Sequence, residues 1–269
     1  MRTMAGKKKT LLMSMLGIWA LGMAIPEALA APSDVPQKTF TLPAVKGYLL
    51  KAEVPNSLLI LNSPPIAGSA AEARDKEASE DALRMGAGAR WSQASADANL
   101  DFPNAVHAFD CVLGVEISAT STPKLYLLMQ KSMLDLGLST YPTKKAFQRA
   151  RPFTVNNQPI CTPEYETVLR QDGSYPSGHS AVGFGWGLMM ANVAPEKSAE
   201  LVKRGVEFGD SRRVCNVHWL SDVEDGRLMG AAVFARLISV PAFRKDLATA
   251  TKEYRHAVAA GRRPSRTCS

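Results

Sequence analysis

The sequence predicts an all-α single domain preceded by an extended arm, on three observations. After Ser69, Ala-rich, charge-dotted segments with helical spacing fill most of the chain, and few β-branched runs interrupt them. Before that point, Pro32, Pro36, Pro43, Pro55, Pro64 and Pro65 punctuate the chain, so no helical period is sustained. Of the 269 residues, 46% are hydrophobic and 21% charged, which excludes collagenous, low-complexity and disordered classes. No repeat period is visible.

Residues 1–30 have the layout of a secretory signal. Arg2 and Lys7 to Lys9 precede an apolar run from Leu11 to about Ile25, followed by Pro26 and the small-residue exit Ala28-Leu29-Ala30. The run is short against the ~20 residues a spanning helix needs, so cleavage after Ala30 and export are expected. This segment carries a surplus of three positive charges out of the net +7, leaving +4 for the rest. A surplus that modest gives no argument for nucleic acid or a membrane surface. The longest later apolar stretch, Ala181 to Ala194, is short and Gly-rich and reads as a buried helix, so the mature chain is expected to carry no membrane span.

The expected organisation is an arm over 31–68, a domain over 69–260 and a basic tail over 261–269 with Arg262, Arg263 and Arg266. Helices are expected at 69–86, 89–99, 103–113 and 123–137. Pro123 opens the last of these, Leu125, Leu128, Met129 and Met133 form its apolar face, and Gly137 stops it. A short helix over 144–151 is expected to end near Pro152, followed by a loop to Ser177. Helices at 178–193, 196–214, 221–238 and about 241–259 complete the chain. Pro195 and Glu196 mark one start, and Ser221 with Glu224 reads as a capping box for the 221–238 helix. Cys111, Cys161, Cys215 and Cys268 allow three pairings, of which Cys161–Cys215 with Cys111–Cys268 is expected in an exported chain. Without C-x-x-C spacing they make a poor zinc site.

Three clusters carry candidate chemistry: Lys144 with Arg151-Pro152; Gly173-Ser174-Tyr175-Pro176-Ser177-Gly178-His179; and Ser211-Arg212 with His218 and Asp222. Lys144, Arg151 and Arg212 are cations in stretches otherwise built to be buried, and converging guanidinium and ammonium groups suit a tetrahedral oxyanion. Ser177 and Gly178 stand at an expected helix N-terminus, where free N–H groups and the helix dipole attract anions. Asp222, four residues after His218, can accept from one ring nitrogen and leave the other as a nucleophilic lone pair. His179 is then the natural general acid. Taken singly, each feature has a plainer reading: a solvated charge, an ordinary turn and N-cap, a structural His–Asp pair. Their joint occurrence in one chain favours a site. His107 and His256 lack such a setting and read as structural or surface.

These clusters resemble the tripartite signature of the type 2 phosphatidic acid phosphatase superfamily, K-x6-RP, PSGH and SR-x5-H-x3-D, at every position and spacing. The stretch GSYPSGH, and its flanks Arg90-Trp91, Leu100-Asp101, Arg204 to Phe208, Trp219 with Ser221 to Val223, and Gly230 to Ala232, further resemble the bacterial class A non-specific acid phosphatases. The likeness spans roughly 85–248. It implies a helical bundle of the phosphatidic acid phosphatase/vanadium haloperoxidase type, with the site between its helices. It also implies an exported, periplasmic enzyme that hydrolyses small phosphomonoesters with broad specificity. His218 would attack phosphorus, with Asp222 orienting it and His179 protonating the leaving alcohol. Lys144, Arg151, Ser177, Gly178 and Arg212 would hold the phosphate oxygens. No metal or other cofactor is implied, inorganic phosphate and vanadate would inhibit, and a homo-oligomer is allowed. Transfer to an alcohol or nucleoside would use the same intermediate.

Arg213, Asn216 and Ser180 depart from the usual pattern, and Arg213 is expected to add charge near the pocket. Asn216 tolerates a left-handed turn before His218. Three rivals are a membrane lipid phosphatase, a vanadium haloperoxidase and a non-catalytic phosphate-binding protein. They are disfavoured respectively by the lack of spanning helices, by the GSYPSGH context and by the intact His218–Asp222 pair.

Overall fold

The computed structural model describes residues 35–268, so the expected leader at 1–30 and the first residues of the arm lie outside the described residues. Among the described residues twelve α-helices form and no strand. The first six are α1 (Ser57–Ile60), α2 (Ala70–Arg84), α3 (Ala89–Asp97), α4 (His107–Leu113), α5 (Pro123–Leu138) and α6 (Tyr141–Phe147). The short α7 (Pro152–Asn156) and α8 (Glu166–Arg170) follow. The long α9 (Gly178–Val193), α10 (Ser198–Val214), α11 (Leu220–Ile238) and α12 (Pro241–Ala259) complete the bundle. Among the described residues no single helix is long and apolar enough to cross a membrane.

α9 is apolar or glycine on almost every face, a composition stable only in a helix surrounded by others. It lies at the centre, contacted by α10, α11, α5 and α12. Trp186 fills the middle of the core, its Nε1–H donating to the Met129 carbonyl at 3.2 Å, with Phe109, Phe208 and Phe102 set against its ring. Glycines decide how closely the neighbours approach. A Cβ on Gly205 of α10 would stand 2.5 Å from the Gly183 carbonyl oxygen and 3.2 Å from the Gly187 Cα, both on α9. A Cβ on Gly230 of α11 would meet the Ala181 carbonyl at 2.6 Å. Backbone-to-backbone contact therefore locks the relative heights of α9, α10 and α11, the helices that begin or end at the second and third sequence clusters.

A second, smaller core of Phe153, Tyr165, Leu169, Val214 and Val217 supports the loops between α7 and α9 and after α10. The Cys161–Cys215 disulfide, with Cα atoms 4.8 Å apart, joins those loops. Cys111–Cys268, at 5.4 Å, ties the tail to α4, as the expected pairing has it. The arm runs over the domain and is pinned to it at several places, two of which flank the site. The Lys38 N–H donates to the Glu164 carbonyl at 2.7 Å, and the Tyr48 and Leu49 N–H groups donate to the Asp135 carboxylate of α5.

Several boundaries differ from the sequence reading, each for a local reason. Pro152 begins α7 rather than ending a helix, because its fixed φ and missing N–H cost nothing at a first helical position. The preceding helix is α6, over Tyr141–Phe147, stopped by Gln148 at φ +43°. α5 runs one residue past Gly137, to Leu138. α11 begins at Leu220, so its N3 position is Asp222, whose carboxylate accepts the Trp219 N–H at 2.9 Å. Glu224 makes no capping box with Ser221 and instead pairs with Arg74 at 2.6 Å. The stretch expected as a loop up to Ser177 holds α7 and α8, and the arm contains one helical turn, α1.

Adding the same methyl group at two glycines should have opposite effects. Gly205→Ala gains helix propensity of about 1 kcal/mol but forces backbone apart, so a net loss of about 2 kcal/mol is expected. Gly137→Ala meets only Val182 at 4.0 Å and should leave stability level or raise it. Urea unfolding of both variants checks the contrast.

Candidate active site

The N-terminus of α9, the last turn of α10 and the first turn of α11 meet at one end of the bundle. Ser177 caps α9, its Oγ accepting the Ser180 N–H at 3.2 Å, while its own N–H donates to the Asp222 carbonyl at 2.9 Å. By helix geometry the N–H groups of Gly178 and His179 then have no intrahelical partner and face outward from the helix end. Asn216, at φ +61°, makes the tight return between α10 and α11, held by hydrogen bonds to the Gln158 carbonyl and Asn156. That return delivers His218 beside Arg151, which itself is the N-cap of α7.

Six of the eight sequence-predicted residues line one cavity of about 120 Å³: Lys144, Arg151, Gly178, His179, Arg212 and His218. Ser177 and Asp222 stand behind the wall, the first engaged in capping and the second against His218. His218 Nδ1 donates to Asp222 Oδ2 at 3.3 Å. Its Nε2, left with the lone pair, receives an N–H from Arg151 Nη1 at 3.1 Å. His179 Nε2–H donates to the Ala98 carbonyl at 3.0 Å, which leaves Nδ1 as the atom available for proton transfer. Burial, reinforced by Arg212 for His179 and by Arg151 for His218, pushes both imidazoles well below their usual pKa.

The cations are buried and mutually repelling. Lys144 donates to the Gly173 carbonyl and lies 3.2 Å from Asp172 Oδ2. Arg151 donates to the Leu169, Asp172 and Val217 carbonyls and lies 3.3 Å from the same carboxylate. Burial first, and Arg151 second, lower Lys144 to about 8 and Arg212 to about 9. Arg212 is 1% exposed; among the described residues its side chain makes one long contact, from Nη1 to Cys215 Sγ, its Nε has no hydrogen-bond partner, and no carboxylate lies within ion-pair distance. A buried guanidinium left so is costly unless an anion completes it.

Sequence reasoning missed the groups that stand behind the site. Arg149 donates to Asp222 Oδ1 at 2.6 Å, to Asp75 at 2.7 Å and to Ser221 Oγ at 2.8 Å. Asp75 in turn accepts from the Ser221 N–H and hydroxyl. Asp222 is thereby held by α11, by Arg149 and by the helix start it caps. Arg149 sits inside the K-x6-RP spacing, but nothing in the sequence marks Asp75 or the Ala98 carbonyl. Arg213, expected near the pocket, turns away: it pairs with Asp210 and donates to the Ala78 carbonyl of α2. His107 bonds Asp110 at 2.8 Å and His256 is exposed, both outside the cavity.

A family model described as the PAP2 superfamily matches residues 107–246. The chain is 41% identical over 200 residues to a non-specific acid phosphatase of Salmonella typhimurium, covering 74% of this chain and 80% of that one. It is 34% identical over 200 residues to an acid phosphatase of Zymomonas mobilis, covering 73% and 74%. A non-specific acid phosphatase of Providencia stuartii is 33% identical over 208 residues, covering 77% and 84%. A buried cation cage around a carboxylate-backed histidine, on an all-α bundle matched over these lengths, places the chain: it belongs to the PAP2 superfamily, among the non-specific acid phosphatases.

Proposed function

We propose that this acid phosphatase hydrolyses small phosphate monoesters through a phosphohistidine on His218, without a metal, after export to the periplasm. The observation that carries the reading is Arg212, a buried guanidinium whose Nε lacks a hydrogen-bond partner, beside two further cations and the free N–H groups of α9. Such a floor fits three phosphoryl oxygens and the charge that grows on them in the transition state. Three fixed cations supply the stabilisation that a divalent metal provides in other phosphatases.

In the first step the His218 Nε2 lone pair forms an N–P bond as the P–O ester bond breaks. The departing oxygen takes a proton from His179 Nδ1. The positive charge gained by the His218 ring is met by Asp222 at Nδ1, and Arg149 keeps that carboxylate in place. In the second step neutral His179 takes a proton from water, whose oxygen attacks phosphorus as the N–P bond breaks. An alcohol or nucleoside in place of water gives phosphotransfer. Lys144, Arg151, Arg212 and the N–H groups of Gly178 and His179 hold the oxygens throughout, and Ser177 contributes through the helix it caps. Phosphate and vanadate compete for the same floor. The signal-like layout of residues 1–30 and the two disulfides support export.

His218→Ala should lower kcat by at least about 10³-fold with p-nitrophenyl phosphate, while EDTA leaves the wild type unaffected. Activity lost to EDTA, or kept in the variant, contradicts the route.

His179 must be protonated to donate, and its pKa is held down, so turnover should fall as pH rises through that value. His179→Asn should lose that limb and slow ethyl phosphate by about 10²–10⁴-fold. On kcat/KM, which ends at the phosphohistidine and leaves out the water step, the loss with p-nitrophenyl phosphate should be far smaller, since nitrophenolate leaves without a proton. Equal kcat/KM losses on the two substrates would remove His179 from the donor role.

A further inference from the structure

The cavity changes character with depth. Its floor is charged and buried, made of Lys144, Arg151, Arg212, His179 and His218. Above the floor the lining is apolar: Met133 and Val182 are buried, and Phe40 and Leu134 partly so. At the rim Leu42, Leu138 and Tyr141 are 61%, 48% and 45% exposed. Three large apolar side chains held at the mouth of a polar site, contiguous with its wall, call for a ligand, because folding alone gains nothing from leaving them in water.

Two lining residues, Phe40 and Leu42, come from the arm, outside the family-matched stretch 107–246. The arm reaches the mouth because it is tied on both sides of it. Gln37 Nε2 donates to the Pro163 carbonyl at 3.2 Å, and the Thr167 N–H donates to Gln37 Oε1 at 3.0 Å. On the far side Asp135 takes the Tyr48 and Leu49 N–H groups, at 2.8 and 3.2 Å. Between these ties Phe40 stacks on Tyr165 at 4.9 Å, nearly parallel, and its ring centre lies 6.1 Å from that of His179 at an interplanar angle of 65°. Phe40 is thus a fixed wall beside the proton donor, where the leaving oxygen must pass.

We infer that this collar is a leaving-group subsite that favours phosphomonoesters of aromatic or extended apolar alcohols over those of small polyols. The inference rests on the phosphatase reading: with phosphorus seated at His218, the ester oxygen points from the floor toward His179, and the rest of the alcohol occupies the collar. An apolar group there is removed from water by Leu42, Leu138 and Tyr141, whereas a polyol loses hydration and meets few partners. The arm, not the signature motifs, sets the preference.

Inhibition by methylphosphonate and benzylphosphonate tests this without differences in leaving-group reactivity. In the wild type benzylphosphonate should bind about tenfold more tightly than methylphosphonate. Leu42→Ser combined with Leu138→Ser, both at exposed positions, should collapse that ratio toward one, and Leu42→Met with Leu138→Met should restore it. Equal inhibition by the two phosphonates in the wild type, or a ratio that survives the double serine variant, would overturn the subsite. Hydrolysis of p-nitrophenyl phosphate, measured alongside, separates the two levels: its absence would overturn the phosphatase reading and the subsite with it. Its presence with equal phosphonate inhibition would overturn the subsite alone.

Discussion

Lys144, Arg151 and Arg212 repel one another across a floor that water barely reaches, and among the described residues Asp172 is the carboxylate that lines the same cavity. A protein interior does not accept that surplus for stability, since each buried charge without a counterion costs several kcal/mol on the order-of-magnitude scale. Burial first, and the neighbouring cations second, lower the pKa values of Lys144, Arg212 and both histidines. On the proposed mechanism a bound phosphoryl group would relieve all of them together, so that affinity for the oxyanion would be stored in the fold before substrate arrives.

Keeping like charges together requires a scaffold that cannot spread. The glycine contacts among α9, α10 and α11 supply it by bringing backbones together, where side chains would otherwise cushion small shifts. Neutral and charged groups behind the floor do the aiming. Asp222 is at once the partner of His218, the acceptor for the Trp219 N–H and a partner of Arg149, so the orientation of the His218 ring is tied to the start of α11. The Ala98 carbonyl does the corresponding service for His179 from the end of α3. The two histidines are thus held by different elements, and neither ring can turn without breaking a buried hydrogen bond.

Much of this was legible in the sequence because the motif residues are local. Lys144, Arg151, Gly178, Arg212 and His218 carry recognisable spacings, and long helices with clear apolar stripes such as α5 and α12 declare themselves. Boundaries were less legible where one residue type has two meanings. Pro152 reads as a stop and proves to be a first helical position, and Ser221 with Glu224 reads as a cap that Asp222 in fact provides. What stayed hidden depends on distant chain segments. Asp75 meets Ser221 across 146 residues, and Phe40 meets the site only because the arm is pinned at Glu164 and Asp135. No local pattern encodes such meetings; they are products of packing.

On the proposed mechanism the cation floor and His218 Nε2 together form one receptor for a phosphoryl group in transit. A crystal structure with orthovanadate tests it most directly. Vanadium is expected bonded to His218 Nε2, with oxygens on Lys144, Arg151, Arg212 and the N–H groups of Gly178 and His179. One apical oxygen, opposite His218, is expected to face His179 Nδ1. Vanadate seated away from His218, or reaching the site only through a bound metal ion, would contradict it.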